Sequence, residues 1–470
     1  MLLGGQALGQ ACSFARNVVV ARLLTPEDFG IAATFVIAVS LFEMISNLAV
    51  DRLLVQAEDG DDPDFQATAH AFQVVRGIGM ALFLFLLAWP FSRLFGIPQA
   101  LWAFQFVALV PLLRGFMHLD PKRLQRTFGF GADVATELLP QILLVLAAWP
   151  FVWWFEDYSA MLWLLVFQAV VMVVVSHALA KRSYGWNWDR NYIRRMVAFG
   201  WPLLFNGLLM FLVFQGDRMI VGAAYDMTQL GVYSVAFTTT FVPTMVITKV
   251  ASALLLPLLS RVQTDIRSFM EYYALSVCAL CLIGVAFSTG FVLLGQQVVV
   301  LTFGERYGAV GSFIGWLGVM QMIRVLRVGP TIASMAWGDT RMPLVSNFGR
   351  ISVIPLAIWL GLTGKPLMWV VIAGCLGELV ALLLMIGILH RSRALMAGHT
   401  LKPMLIGAGA VTIAFALSLS AEHHYSLIVA VTGLVVIVVG AFVAMVCYIP
   451  FCRPHVRSLV RSHMPQPGQK

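Results

Sequence analysis

Charge is what this 470-residue chain has least of: 11% of its residues are Asp, Glu, Lys or Arg, 60% are hydrophobic, and the mean hydropathy is +0.86. Soluble globular domains carry roughly a quarter charged residues, so the composition excludes one and points to an all-α polytopic membrane protein. Cysteine is also scarce. Cys12, Cys278, Cys281, Cys375, Cys447 and Cys452 lie in or beside apolar segments, and the Cys278-x-x-Cys281 spacing on an apolar helix reads as packing, not redox chemistry. No metal site, disulfide or cofactor is expected. The chain has no G-x-x-x-x-G-K-[ST] run, which excludes ATP hydrolysis through a P-loop. Its N-terminus lacks a basic n-region and a small-residue cleavage site, so no cleavable signal is expected.

What is present is a series of apolar runs of membrane-spanning length. They fall near 3–23, 30–50, 71–92, 99–118, 134–154 and 159–180, then 197–222, 230–257, 270–295, 309–337, 343–362 and 367–389, and finally 403–420 and 425–449. About fourteen transmembrane helices result, as six, six and a terminal pair. With the N-terminus inside, Lys122, Arg123, Arg126, Lys181, Arg182, Arg190, Arg194, Arg195, Arg261 and Arg267 share one side. Arg341, Arg391, Arg393, Lys402, Arg453, Arg457 and Arg461 join them, leaving Arg22, Arg93, Arg306 and Lys365 outside. That positive-inside bias accounts for most of the net charge of +8, which is therefore no nucleic-acid footprint. The basic stretch from Lys181 to Arg195, with Tyr184, Trp186, Trp188 and Tyr192, reads as a linker whose rings and cations sit at headgroup level.

Two turns 201 positions apart match: Thr25-Pro-Glu-Asp-Phe-Gly30 and Asp226-Met-Thr-Gln-Leu-Gly231. Each follows an apolar segment bearing ionised side chains and opens the next one, the layout of a duplicated transporter unit. The first turn has the residues of a helix start, with Thr at the N-cap, Pro at N1 and an acid at N3, and Asp226 suits the same role. In the first span Gln6, Gln10, Ser13 and Asn17 recur at helical spacing beside Arg16. Such a face belongs against protein or a wet cavity, not lipid. Arg22 falls at the outer rim. The acidic loop Glu58–Asp64 contains Asp59-Gly-Asp61, the pattern glycosyltransferases use to hold a metal-bound nucleotide sugar. With no soluble nucleotide-binding domain around it, it reads as a solvated connector.

Further cations lie within spans: Arg76, Arg114, Arg218, Lys249, Arg324, Arg327 and Arg350. An ionised residue costs roughly 2.5–3.5 kcal/mol at a helix centre, so these need a role. The acids at comparable depth are Glu43, Asp217 and Glu378, with Asp133 and Glu137 nearer an edge. Asp217 is placed to neutralise Arg218, and Glu137 or Glu378 to pair with Arg350, while Arg76 and Arg114 suit snorkelling to an interface. Arg16, Lys249, Arg324 and Arg327 then remain as surplus cation. Surplus guanidinium suits a phosphate or carboxylate ligand, whereas a site for cationic drugs needs surplus carboxylate. Gln321, Arg324 and Arg327 stand one turn apart as a single patch.

The segments Ala21-Arg-Leu-Leu-Thr-Pro-Glu-Asp-Phe-Gly30, Asp217-Arg-Met-Ile-Val-Gly222, Leu230-Gly-Val-Tyr-Ser-Val-Ala236 and Leu255-Leu-Pro-Leu-Leu-Ser-Arg-Val-Gln263 carry a family resemblance. The chain resembles the oligosaccharide (O-antigen and exopolysaccharide) flippases. These are the polysaccharide-transporter branch of the MOP superfamily, which also holds multidrug MATE antiporters and the lipid II flippase. The spacing of Arg16 and Arg22 is similar to that of cavity-facing arginines in the lipid II flippase. The resemblance implies two pseudo-symmetric six-helix lobes forming a V, residues 1–180 and 197–390, joined by a cytoplasmic linker 181–196. It leaves a helix pair at 403–449, similar to the last two helices of the lipid II flippase, and a cytoplasmic tail 450–470.

It also implies an undecaprenyl-pyrophosphate-linked glycan, flipped outward across the bacterial inner membrane without ATP, in company with membrane lipid and with polymerase and chain-length proteins. The expected cargo-binding set is Arg16, Arg22, Arg76, Arg218, Lys249, Gln321, Arg324 and Arg327, and the expected proton carriers are Glu43, Asp217 and Glu378. Two alternatives are a MATE-type drug antiporter and a membrane polymerase or ligase. The first lacks surplus buried carboxylate. The second lacks a large outer loop, since His423-His424 occupies a connector too short to gather a catalytic site. A scaffold for glycan assembly is a third reading, compatible with flipping.

Overall fold

The computed structural model describes residues 2–46, 48–339, 341–393, 398–420 and 427–448. The expected tail 450–470, His423, His424, Cys452, Arg453, Arg457 and Arg461 lie outside the described residues. The helices are α1 (Leu2–Leu23), α2 (Pro26–Ser46), α3 (Val50–Gln56), α4 (Pro63–Leu94), α5 (Leu101–Val107) and α6 (Leu109–Gly115). After them come α7 (Asp120–Arg123), α8 (Phe130–Phe155), α9 (Ser159–Ala178), α10 (Arg190–Ala224), α11 (Met227–Arg261) and α12 (Ile266–Phe303). The chain continues with α13 (Ile314–Ala336), α14 (Arg341–Ile351), α15 (Ile354–Leu362), α16 (Leu367–Arg393), α17 (Gly398–Ser420) and α18 (Leu427–Tyr448).

Eleven helices among the described residues are long and apolar enough to cross a membrane, or 13 when each of two bent pairs counts as one span. The bends are 52° between 98–115 and 120–127, and 66° between 305–312 and α13. The sequence count of fourteen thus stands as an approximation. Its remaining member is α1, whose polar stripe keeps it below the hydropathy of the others. Several spans expected as single rods are interrupted. The 343–362 run breaks between α14 and α15, where Pro355 lies in the first turn of α15 and cannot donate to the preceding turn.

The matched turns fold as helix starts. The Thr25 hydroxyl accepts from Asp28 N at 3.1 Å and donates to the Asp28 carboxylate at 2.5 Å, while Asp226 accepts from Gln229 N at 2.7 Å. Both fill the orphan donors of a first helical turn.

The chain packs as two compact units, Met1–Val235 with Thr302–Tyr307 and Ala236–Leu301 with Gly308–Lys470. This division falls inside α11 rather than at the 181–196 linker. In the first unit α1 packs on α8, α8 on α9, α4 on α5 and α6, and α10 along α2. A core of Val50, Leu54, Phe65, Ala69, Leu119 and Met196 ties α3, α4 and the start of α10 together. In the second unit α16 carries α13, α14 and α15 around it, and α17 packs on α18. Cys278 and Cys281 lie within its core, beside Val285, Met322 and Ala414. The outward faces of the long helices are apolar, as Leu86, Trp149, Trp154, Leu254 and Leu405 show, which suits a lipid surround.

Candidate functional site

In the first unit the buried guanidinium of Arg16 has no acid against it among the described residues. Arg16 is 8% exposed; its Nη2 donates to Ser13 Oγ at 3.4 Å and Asn17 Oδ1 at 3.2 Å, and its Nε is buried without a hydrogen-bond partner. The polar stripe of α1 thus solvates the cation with neutral oxygens. These relieve part of the desolvation cost and leave the charge uncompensated.

The second unit answers the same problem with a carboxylate. Glu378 of α16 is fully buried and is shared by three arginines. Arg324 Nε bonds its Oε1, Arg350 Nε lies 3.1 Å from Oε1, and Arg327 Nη2 lies 3.6 Å from Oε2. Arg324 also donates to Gln321 Oε1 at 3.3 Å and lies over the rings of Phe237 and Phe241, 5.7 Å from each centroid. Arg327 donates to Asn347 Oδ1 at 3.1 Å and Ser346 Oγ at 3.4 Å. Gln321, Arg324 and Arg327 are therefore one patch, as their spacing predicted. The expectation that Arg324 and Arg327 lack an acid is corrected: both share Glu378 with Arg350. A helix partner 54 positions away along the chain is invisible to a spacing argument. Three guanidiniums around one carboxylate still leave this cluster positive.

The other expected residues lie elsewhere. Arg22 is exposed at the end of α1 and donates to Thr302 O at 2.7 Å. Arg76 donates to Ser46 O at 3.2 Å. It lines a cavity of about 280 Å³ in the first unit together with Glu43, Arg114, Lys122 and Asp133. Here Glu43, itself exposed, pairs with Arg114, so Arg114 has an acid partner where snorkelling was expected. Lys122 holds Asp133 at 2.6 Å and Glu137 at 3.0 Å, which takes Glu137 from its expected pairing with Arg350. Asp217 and Arg218 are adjacent and half-buried on α10, and Lys249 is exposed on α11.

Sequence reasoning missed a clasp. The Asp59-Gly-Asp61 loop is consumed by the linker: Arg195 grips Asp59 with two bonds of 2.5 and 2.9 Å, and Tyr192 OH donates to Asp62 at 2.8 Å. Asp61 accepts from Arg123 at 2.6 Å and Arg182 at 3.2 Å. The Arg195 and Arg123 guanidiniums hold the Asp59 and Asp61 carboxyls below the usual carboxylate range. Beneath them Asp120, fully buried, accepts from Arg123 Nε at 2.6 Å and Lys181 N at 2.7 Å. A stack of His70, His118, His177 and Tyr184 packs beside it. The loop is a solvated connector, as expected, and also an ion-paired fastener, which leaves the D-x-D no free carboxylate pair for a nucleotide sugar. The available signal was an acidic loop with four aspartates and, later in the chain, a basic linker of opposite charge. Among the described residues no group of three His, Cys, Asp or Glu is placed to hold a metal.

Comparison with known proteins places this arrangement. The chain is 21% identical over 311 residues to a succinoglycan biosynthesis transport protein of Rhizobium meliloti (strain 1021), covering 66% of this chain and 63% of that protein. It is 22% identical over 273 residues to a teichuronic acid biosynthesis protein of Bacillus subtilis (strain 168), covering 54% and 56%. The chain thus spans about three fifths of the length of these relatives. Among solved structures it superimposes on the lipid II flippase MurJ in an inward closed conformation with a TM-score of 0.69, at 11% identity, over 98% of this chain and 100% of that one. An inward-facing multidrug transporter of the MATE family gives 0.67 at 12% identity, over 85% and 95%. These likenesses show the polytopic fold of the MOP superfamily. The sequence profile described as polysaccharide biosynthesis protein matches residues 19–311, and the chain belongs to that family.

Proposed function

We propose that this protein flips a polyprenyl-pyrophosphate-linked oligosaccharide from the cytoplasmic to the periplasmic face of the bacterial inner membrane, by alternating access, for O-antigen or exopolysaccharide biosynthesis. The carrier is undecaprenyl pyrophosphate, and both chain termini are cytoplasmic. The moving bodies are the lobes 1–180 and 197–390, with the pair 403–449 as an addition. The observation that carries the reading is Arg16, a buried cation that bonds, among the described residues, to neutral oxygens. Such a charge gains most from an incoming anion, and a pyrophosphate offers several acceptor oxygens to a planar fork. The positive cluster of Arg324, Arg327 and Arg350 supplies a second locus of the same sign, with Glu378 as its counter-ion.

The multidrug-antiporter reading is the weaker one, because Glu43 and Glu378 each contact arginine and neither is left for a cationic drug. A proton-carrying role fits Glu43 and Asp217 better than Glu378, which three guanidiniums already engage. The test is reconstitution of the purified protein with a fluorescent polyprenyl-pyrophosphate oligosaccharide. Arg16→Ala should cut flipping at least tenfold and Arg16→Lys should restore part of it. Full transport by Arg16→Ala would remove the basis of the proposal.

A further inference from the structure

The two matched turns meet. A Cβ added at Gly30 would fall inside the Met227 carbonyl and 3.0 Å from Gly231 N; one added at Gly231 would fall inside the Pro26 carbonyl and 3.2 Å from Gly30 N. The contact is reciprocal: the first turn of α2 and the first turn of α11 abut backbone to backbone, and glycine at both positions is what permits it. Two first turns in contact bring positive dipole ends close together. Asp28 and Asp226, bonded into their own first turns, place negative charge at those ends. The contact is therefore tight in shape and weak in electrostatics.

A strap covers it. Residues Thr302–Tyr307 belong to the first compact unit although the residues on either side belong to the second. Arg22 Nε donates to Thr302 O at 2.7 Å, and Tyr307 OH, fully buried, donates to Ala21 O at 3.2 Å. Phe303 meets Phe14 edge-on at 5.8 Å, and Tyr307 meets Phe29 at 6.3 Å. Every one of these contacts joins α1 or α2 to a segment from the later half of the chain.

We propose that the Gly30–Gly231 contact, locked by the 302–307 strap, is the gate that closes the cargo path at the periplasmic end. The bare α-carbons at the two positions are what allow it to shut. This rests on the transport reading above, and it gives Arg22 a gating role in place of a cargo contact. A side chain at either glycine would wedge the turns apart, whereas the bonds of Arg22 and Tyr307 set how long the gate stays closed.

The experiment reads the gate without cargo. A cysteine is placed at Leu24, which is 1% exposed beside the contact, in full-length protein lacking its native cysteines. It is then labelled with an impermeant thiol reagent from the periplasmic side. Gly30→Ala and Gly231→Ala should each raise the labelling rate at least tenfold and stop flipping. Gly79→Ala, whose Cβ meets nothing within 4 Å, should change neither. Arg22→Ala with Tyr307→Phe removes only strap bonds and should raise labelling severalfold with abundance unchanged. Wild-type labelling rates in the strap variant, or in well-expressed glycine variants, would overturn the proposal. Faster labelling in a protein whose wild type moves no pyrophosphate-linked glycan would instead sink the cargo reading and leave the gate standing.

Discussion

The chain holds buried arginine in two ways, and the contrast separates a cation held by neutral oxygens from cations held by a shared acid. Arg16 leans on the hydroxyl of Ser13 and the amide of Asn17 and has no acid. Arg324, Arg327 and Arg350 converge on a fully buried Glu378. A shared carboxylate makes three cations tolerable inside an apolar helix bundle, and removing it would leave them buried without a counter-ion. Neutral oxygens make one cation tolerable without cancelling it, so the first retains attraction for an anion. Residue type and burial are nearly equal in the two places; the partner decides the role.

The largest expected effect breaks the second arrangement. Glu378→Gln leaves three guanidiniums around a neutral amide and should cost about 3–5 kcal/mol. It would be seen as lost membrane abundance and a lower detergent-solubilised melting temperature, with part of both regained when Arg350→Met is added. Normal abundance of the single variant would mean that the cluster is compensated from elsewhere. Next in size is Arg16→Ala, which should leave abundance near wild type while lipid-linked oligosaccharide accumulates on the cytoplasmic face. An abundance loss like that of Glu378→Gln would erase the contrast.

The clasp sharpens it at smaller scale. Asp59 and Asp61 are exposed carboxyls held below their ordinary pKa by Arg195 and Arg123. A group depressed in the folded state contributes fully above its unfolded value, near pH 4, and loses that contribution only as pH falls through the folded one. Proteolysis of the 181–189 linker should therefore be flat from pH 8 to 5. Asp59→Asn with Asp61→Asn should speed it severalfold throughout that range. Smallest of all is Arg93→Ala: this exposed residue stacks only on Trp89, 5.8 Å away, and flux and abundance should stay within error of wild type.

Much of the fold was legible because hydropathy is a local property. Runs of twenty apolar residues mark spans whatever they pack against, and Thr25, Asp28 and Asp226 announce their caps within four residues. Pairing was legible only at helical spacing. Gln321, Arg324 and Arg327 could be joined as a patch, but Glu378 and Arg350 reach it from other helices, and no period in the sequence reports which helix faces which. The clasp escaped for the same reason: Asp59 and Arg195 are 136 positions apart, and each run looks like an ordinary solvated surface on its own. The likeness of the Gly30 and Gly231 turns was visible, whereas their direct contact belongs to tertiary structure.

One feature of α1 reaches beyond the finished molecule. The helix falls short of the hydropathy that marks the other long spans, carries Arg16 at its middle, and finds its main packing surface on α8. Over a hundred residues of chain are synthesised between the two. A segment that partitions poorly into lipid on its own must wait at the translocon or the membrane surface for the helix that will shelter it. The polar stripe that shelters Arg16 in the folded chain thereby sets the order of assembly, with α1 made before α8 and settling only after it.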